Sequence, residues 1–425
     1  MDRRKFLRDT SLAGVLGLSG CSTPFDGVSA PTPANGTGSS ETPTSTPTPE
    51  SPETRSGTAL TGVYSGGPGS DLISNLDRFS TWLSQKPAVA MVYINAFIPR
   101  KNKKGFVKGA LTDIWERNHV PLISWKPYSE RKQQTPEDVE ARIANGNYDD
   151  HLEAWATLLN DWARPRGEKT RGRRFYFRPA YEMNGDWFPW SALDSKEIAA
   201  DAPSTPNSTT GQNPATGTPD DYIMMWRHIY DVFSETGLDE TNVQWIWSPN
   251  AEDIGNIRAE RYYPGDEYVD WVGLDGFNFG GSQRYENDST SNWRSPNRVF
   301  GSMVKRIRDL NDKPLALIEM ASSSVPDSGD GYRPEKKAQW IQDAFEYVDE
   351  NDIKMVCWFN VRKTGADESD WMVFGGKRGT SRTTIEGERY RVYGEYKRSV
   401  SASKHLAART DYPPLLTDAE FAGEF

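Results

Sequence analysis

Two glutamates sit where apolar strand-like runs give way to polar residues. Glu182 lies in Arg178-Pro-Ala-Tyr-Glu-Met-Asn-Gly-Asp-Trp-Phe-Pro-Trp190, just past the aromatic run Phe175, Tyr176 and Phe177. Glu319 follows the apolar run Leu315–Ile318, where an ionised group is costly unless it is solvated, paired or functional. Carboxyls among indoles and hydrogen-bond donors suit cleavage of a glycosidic bond. One acid, its pKa raised by apolar surroundings, protonates the leaving oxygen. The other stays ionised and attacks the anomeric carbon. On this reading Glu182 is the acid and then the base, and Glu319 is the nucleophile. Carboxyls about 5–5.5 Å apart imply retention and about 6.5–9.5 Å inversion. Trp187 and Trp190 offer flat apolar faces on which a pyranose can stack. The plainer alternative at the first position is a buried ion pair between Glu182 and Arg178.

The elements that must position these groups alternate along the chain. Eight strands are expected: Gly62–Ser65, Ala88–Phe97, Val120–Lys126, Arg174–Pro179, Val243–Ser248, Val269–Leu274, Pro314–Glu319 and Met355–Phe359. Helices are expected over Asp71–Lys86, Pro136–Trp162, Asp220–Glu235, Pro296–Asn311, Pro334–Glu350 and Tyr393–Ala408. Val299, Phe300, Met303, Val304, Ile307 and Leu310 form one apolar stripe on the fourth of these. Strand–helix repeats over residues 58–408 predict an α/β fold, a (β/α)8 TIM barrel. The alternative, an open doubly wound sheet, usually carries a Gly-rich phosphate turn after its first strand; Val63-Tyr-Ser-Gly-Gly-Pro-Gly69 does not fit that fingerprint.

In such a barrel the reacting groups sit at the carboxyl ends of the strands. Trp125, Arg178, Glu182, Trp247, Asn250, Asp275, Phe277, Glu319 and Trp358 all fall there. Trp358 is expected as a floor for the sugar at the cleavage point, with Trp125 a second such surface. Arg178 is expected to orient a carboxylate. Tyr181, Asn184, Trp247, Asn250 and Asp275 complete the candidate sugar-binding set, with loop-holding the alternative for Asn250 and Asp275.

Composition narrows the partners. Aromatics make up 12% of 425 residues, and the formal net charge is -10, which disfavours a nucleic-acid surface. Four scattered His and two Cys show no metal-ligand spacing, so neither a metal nor an organic cofactor is expected. Cys357 lies in an apolar strand and reads as core. A monomer is expected.

Residues 1–21 read as an address. Asp2-Arg3-Arg4-Lys5-Phe6-Leu7 resembles a twin-arginine export signal, and Leu18-Ser19-Gly20-Cys21 resembles a lipobox with Cys21 as the lipidated residue. Residues 22–57, rich in Ser, Thr and Pro, read as a disordered tether that holds an extracytoplasmic domain away from the membrane. The only membrane contact expected is the lipid anchor. Asp194–Pro219 reads as a low-complexity rim insertion, and residues 409–425 as a loosely held tail.

The run Arg178–Trp190 resembles the signature of family 26 glycoside hydrolases, typified by β-mannanases. The resemblance continues through Trp245-Ile-Trp-Ser-Pro-Asn250, Tyr262-Tyr-Pro-Gly-Asp266, Val269-Asp-Trp-Val-Gly-Leu-Asp-Gly276 and Ile318-Glu319. It covers roughly residues 60–400. It implies a retaining (β/α)8 enzyme with Glu182 as proton donor and Glu319 as nucleophile. The implied substrate is β-1,4-mannan, with mixed-linkage or β-1,4-glucan as the alternative. Two residues depart from the pattern. Tyr181 stands where the family usually has His, and Phe277 where it often has a Tyr whose hydroxyl orients the nucleophile. A phenol at 181 is one possible replacement for that donor. The rival readings are a tethered carbohydrate-binding lipoprotein without activity and a transglycosylase.

Overall fold

The computed structural model describes residues 52–425 apart from 67–70, 166–171, 186, 192–216, 255–256, 283–292, 327–330, 362–369 and 402–403. The signal region with Cys21, most of the tether and most of the rim insertion therefore lie outside the described residues.

All eight expected strands are present, in the expected order. They are β1 (Ala59–Tyr64), β2 (Val89–Phe97), β3 (Val120–Ser129), β4 (Phe175–Pro179), β5 (Val243–Trp247), β6 (Trp271–Asn278), β7 (Leu315–Ser322) and β8 (Ile353–Phe359). Each pairs in parallel with the next, and β8 returns to β1, with Gly62 opposite Cys357, so the sheet closes into a barrel. That seam needs a glycine: a methyl at 62 would come within 2.2 Å of the Cys357 sulfur. Burial pushes the Cys357 thiol up to about 12, as befits a core residue.

The helices wrap the barrel. They are α1 (Leu72–Leu83), α2 (Arg100–Phe106, running on through Val107–Leu111 to Thr112–Glu116), α3 (Val139–Ala144), α4 (Asp149–Ala163), α5 (Pro219–Glu235), α6 (Pro296–Leu310) and α7 (Pro334–Glu350). Their starts follow from local chemistry. Asp71 caps α1 by accepting from the amides of Ile73 and Ser74 at 3.1 Å. Thr218 and Asp221 form a reciprocal capping box at α5, with Pro219 in the first turn, where its missing N–H is harmless. The expected stripe on α6 is buried from Val299 to Ile307.

Four expectations need correction. The single helix expected over 136–162 is two, because Gly146 turns left-handed (φ 78) between them. A hairpin of β9 (Ser381–Ile385) and β10 (Glu388–Val392) turns at Glu386-Gly387 and was not expected. The expected last helix stops early: α8 spans Gly394–Val400, and β11 (His405–Leu406) then adds beside β1 in parallel.

The fourth correction concerns the tail. Residues 409–425 pack against the barrel's amino-terminal end. They carry a short helix, α9 (Asp418–Ala422), opened by a capping box between Thr417 and Glu420. The Phe421 carbonyl accepts from the Tyr176 hydroxyl at 3.1 Å and the Trp271 indole at 3.2 Å. Gly423 (φ 80) lies so close to Pro314 and Trp271 that a Cβ there would clash with both. The buried Glu420 carboxylate takes Arg409 at 2.6 Å and Arg55 at 2.9 Å. Arg55 thus extends the folded part of the chain into the segment read as tether. Among the described residues no helix is long and apolar enough to cross a membrane.

Candidate active site

Both faces of a barrel strand are buried, one against the barrel interior and one against the helices, so the phase of each strand decides what reaches the mouth. On β4, Tyr176 and Arg178 point inward, while Phe175 and Phe177 pack outward against Trp162 and Phe233. Arg178 is fully buried and saturated. Its Nη1 donates to both Asp275 oxygens at 2.7 and 2.9 Å, its Nη2 to Glu319 Oε1 at 2.5 Å, and its Nε to Ser124 at 3.1 Å. Burial works against its charge, but Asp275 and Glu319 outweigh it and hold the guanidinium above its ordinary pKa. Arg178 therefore orients carboxylates and has no donor left for a ligand. It pairs with Glu319, not with Glu182.

A bulge aims Glu319. Leu274 and Asp275 are consecutive on β6, yet they pair with Leu317 and Glu319 on β7. The extra residue, Ile318, shifts the phase so that Glu319 faces inward beside Asp275. Burial drives the pKa of Asp275 upward against the pull of Arg178, and the charges of Glu319 and Glu182 add to that rise.

Glu182 lies beyond β4 on a strained turn. Both Ala180 (φ 46) and Glu182 (φ 55) are left-handed, a conformation that L residues with a Cβ adopt only when the surroundings enforce it. The enforcement is visible: the Glu182 amide donates to the Ser248 carbonyl at 2.7 Å, and the Ala180 amide to the Trp125 carbonyl at 3.0 Å. Its Oε1 accepts from Asn250 Nδ2 and its Oε2 from Trp187 Nε1, each at 2.9 Å. Burial, and next the charge on Glu319, push the carboxyl up to about 7, although the Asn250 and Trp187 donors pull the other way.

The remaining candidates divide. Tyr181 covers the guanidinium, its ring centre 4.1 Å from Arg178 Cζ, and burial keeps its phenol well above the usual range. Phe277 shares the inward face of β6 with Asp275 and packs on Phe359 and Trp371. Asn184 ties two loops: it donates to the Asn250 carbonyl and Asp253 at 2.9 Å and accepts from the Asn250 amide at 2.8 Å. Trp187 faces Glu182, to which its indole donates. Trp190 donates to the Tyr181 carbonyl, stacks on Phe188 at 4.4 Å and is wholly buried.

Trp125, Trp247 and Trp358 are corrections to the expected sugar surfaces. All three are 0% exposed and face outward from their strands. Trp125 packs between Phe97 and Phe177, Trp247 against Tyr263, and Trp358 between Trp340 of α7 and Tyr396 of α8. Their inward neighbours are Ser124, Ser248 and Phe359. Asn184 and Trp190 likewise face protein rather than the mouth.

Two inward residues were missed from the sequence. Tyr93 of β2 donates to Glu319 Oε1 at 2.5 Å. Lys126 of β3 sets its amine 5.5 Å over the Tyr93 ring, and burial lowers its pKa to about 7, with Lys132 adding to the fall. The signal for Tyr93 was a polar pair, Tyr93 and Asn95, spaced by two in an apolar strand. Among the described residues no cluster of His, Cys, Asp and Glu could hold a metal.

The site can thus present a protonated carboxyl and a guanidinium-bound carboxylate to one ligand. Residues 128–304 match the family model "Glycosyl hydrolase family 26"; that segment includes Arg178, Glu182, Asn250 and Asp275 and stops short of Glu319. Endoglucanase H of Acetivibrio thermocellus is 26% identical over 283 residues, 66% of this chain and 25% of that protein. A mannan endo-1,4-beta-mannosidase of Bacillus subtilis is 26% identical over 234 residues, 51% of this chain and 58% of that protein. The chain therefore spans only a quarter of the first relative and less than two thirds of the second. The solved catalytic domain of a GH26 endo-beta-1,4-mannanase from Bacillus sp. JAMB-750 superposes with a TM-score of 0.54 at 18% identity, over 80% of this chain and 83% of that one, which shows the shared barrel. Across residues 128–304 the barrel is thus similar in sequence to glycosyl hydrolase family 26.

Proposed function

We propose that this chain is a retaining glycoside hydrolase that cleaves a β-linked polysaccharide, acting as an endo-β-1,4-mannanase. The observation that carries the reading is the division between the two glutamates. Glu182 is buried, held by two neutral donors and pushed up to about 7, so it can enter the reaction with its proton. Glu319 is bound by Arg178 and presented as a carboxylate. In the first step Glu319 attacks the anomeric carbon while Glu182 protonates the leaving oxygen. In the second, Glu182, now ionised, takes a proton from the water that hydrolyses the glycosyl ester.

A β-glucanase of the same fold is the second reading. It is favoured by the similarity to an endoglucanase over 66% of the chain, and by Tyr181 and Phe277 beside the carboxylates. Reducing-sugar release from glucomannan, galactomannan, mixed-linkage β-glucan and xylan, at low and high salt, separates the two, with Glu319→Ala as the control. Activity on mannans that the control lacks supports the first reading. Activity on β-glucan alone supports the second. Absence of turnover by folded protein at any salt sinks both and leaves a carbohydrate-binding role.

The arginine pair Arg3-Arg4 and Cys21 support export with lipid anchoring at the cell surface. Cys21→Ala should release the protein into the medium; retention on the membrane would count against the anchor.

A further inference from the structure

We propose that Tyr93 is a positioning residue for Glu319: with Arg178 it pins Oε1, so that Oε2 is the atom that attacks. The inference rests on the retaining reading above and assigns a part to a residue that the reading does not use. Tyr93 stands on β2, three strands round the barrel from β7 by way of β8 and β1. Its hydroxyl and Arg178 Nη2 each reach Oε1 at 2.5 Å. Among the described residues no hydrogen bond reaches Oε2. Two charge-assisted donors on one oxygen fix the rotation of the carboxylate and leave the other oxygen's lone pairs free for carbon.

Tyr93 is itself held for this task. Its ring meets Tyr64 edge-on at 4.7 Å, with Tyr181 at 5.9 Å and the Lys126 amine at 5.5 Å over its face. Burial, and next the charge of Glu319, raise its phenol well above 10, so it keeps the proton that it donates. The neighbouring strand β6 brings no hydroxyl at the equivalent height: Phe277 lies among Phe279, Phe359 and Trp371.

The electron balance shows where the hydroxyl matters most. In the first step an Oε2 lone pair forms the bond to the anomeric carbon. The carbon–oxygen bond to the leaving group breaks, its pair going to that oxygen, which takes the Glu182 proton. Oε1 becomes the carbonyl oxygen of an ester and still accepts from Tyr93 and Arg178. In the second step water attacks, Glu182 takes its proton, and the carbon–Oε2 pair returns to the carboxylate. The negative charge reappears on Glu319, so Tyr93 helps to receive it.

The test is Tyr93→Phe in the full chain, assayed with dinitrophenyl β-glycosides of mannobiose and cellobiose, whose leaving group makes the first step fast. Loss of a hydrogen bond to a charged group predicts a fall in kcat of about 10- to 100-fold. A matching fall in KM and a stoichiometric burst of phenolate should accompany it, with the glycosyl mass on the Glu319 peptide and an unchanged Tm. Wild-type kcat and KM with no burst would overturn the proposal. So would a loss of rate at constant KM together with a lowered Tm, which is the mark of a merely structural residue. If Tyr93→Phe fails to fold, 3,5-difluorotyrosine at 93 keeps the shape and lowers the phenol pKa. It should add an alkaline limb to kcat, and an unaltered profile would overturn the proposal. A wild-type protein that turns over neither probe nor any polysaccharide defeats the retaining reading and this inference together. A working wild type with an indifferent Tyr93→Phe defeats this inference alone.

Discussion

The two ends of the barrel each bury a glutamate, and they move its pKa in opposite directions. At the mouth, Glu182 has only neutral donors, Trp187 and Asn250, and a negative neighbour in Glu319. Burial therefore prevails and the carboxyl rises to about 7. At the base, burial also pushes Glu420 up, but Arg409, Arg55 and the Thr417 amide outweigh it and bring the group down to about 2. Burial alone does not decide the state of a carboxyl; the sign of its partners does. The end that retains a proton also carries the left-handed residues Ala180 and Glu182. The end that holds a full charge carries a capped helix and matched arginines. One end gives up stability for chemistry and the other restores it.

The contrast can be broken most forcefully at the mouth. Glu182→Gln removes the proposed proton donor, and turnover of polysaccharide should fall about 10³-fold or more. The same change should stabilise the fold, in a window set by linkage. A carboxyl whose folded pKa is raised adds instability as pH climbs from its unfolded value to about 7. The gain in Tm should be absent near pH 4 and complete above pH 7. An equal gain at both pH values would show that Glu182 is not strained by its charge.

At the base the effects should reverse. Ending the chain at residue 408 removes Glu420, α9 and the cover over Tyr176. Breaking buried ion pairs costs about 3–5 kcal/mol, which corresponds to a fall in Tm of roughly 4–7 °C for a domain of this size. The rate per folded molecule at 25 °C should hold. A large loss of rate at constant fold would mean that the two ends are coupled. Glu420→Gln refines the point: a group with a depressed folded pKa contributes stability above its unfolded value and loses it as pH falls toward about 2. The penalty of that variant should therefore be full at pH 7 and vanish in strong acid.

The smallest effect expected lies between the ends. Glu140 of α3 is wholly buried, and among the described residues neither of its carboxylate oxygens finds a partner beyond its own backbone amide. Burial raises its pKa, and Asp221 and Asp138 add to the rise. Glu140→Gln should raise stability by about 1 kcal/mol at pH 8 and by little at pH 4. Thermal scans at the two pH values would decide it, and a loss at pH 8 would point to a hidden partner for the carboxylate.

The order of strands was legible because each is a continuous apolar run of barrel length, and the two glutamates stood out as charges at the ends of such runs. The phase of each strand was not legible. A strand buried on both faces shows no alternation of polar and apolar residues, so nothing distinguished inward Ser124 from outward Trp125. The same ambiguity made Trp247 and Trp358 look like sugar platforms, and it let Tyr93 pass for core. Glu319 was found, yet the bulge that aims it was not, since a bulge is a relation between two strands. The base was missed for another reason. Thr417-Asp-Ala-Glu420 is a capping box by type and spacing, but the helix it opens is five residues long and is held by Arg409 together with Arg55, which is distant in sequence.

β1 pairs with β2, but also with β8 and β11, so the pairing of the first barrel strand is completed only by residues 353–359 and 405–406. On a ribosome, Ala59–Tyr64 emerges long before either partner exists. Some of its backbone N–H and C=O groups must wait unpaired until nearly the whole domain has been synthesised. Closure is therefore a late event in the life of the polypeptide, and the interval before it leaves a strand edge open to pairing with other chains.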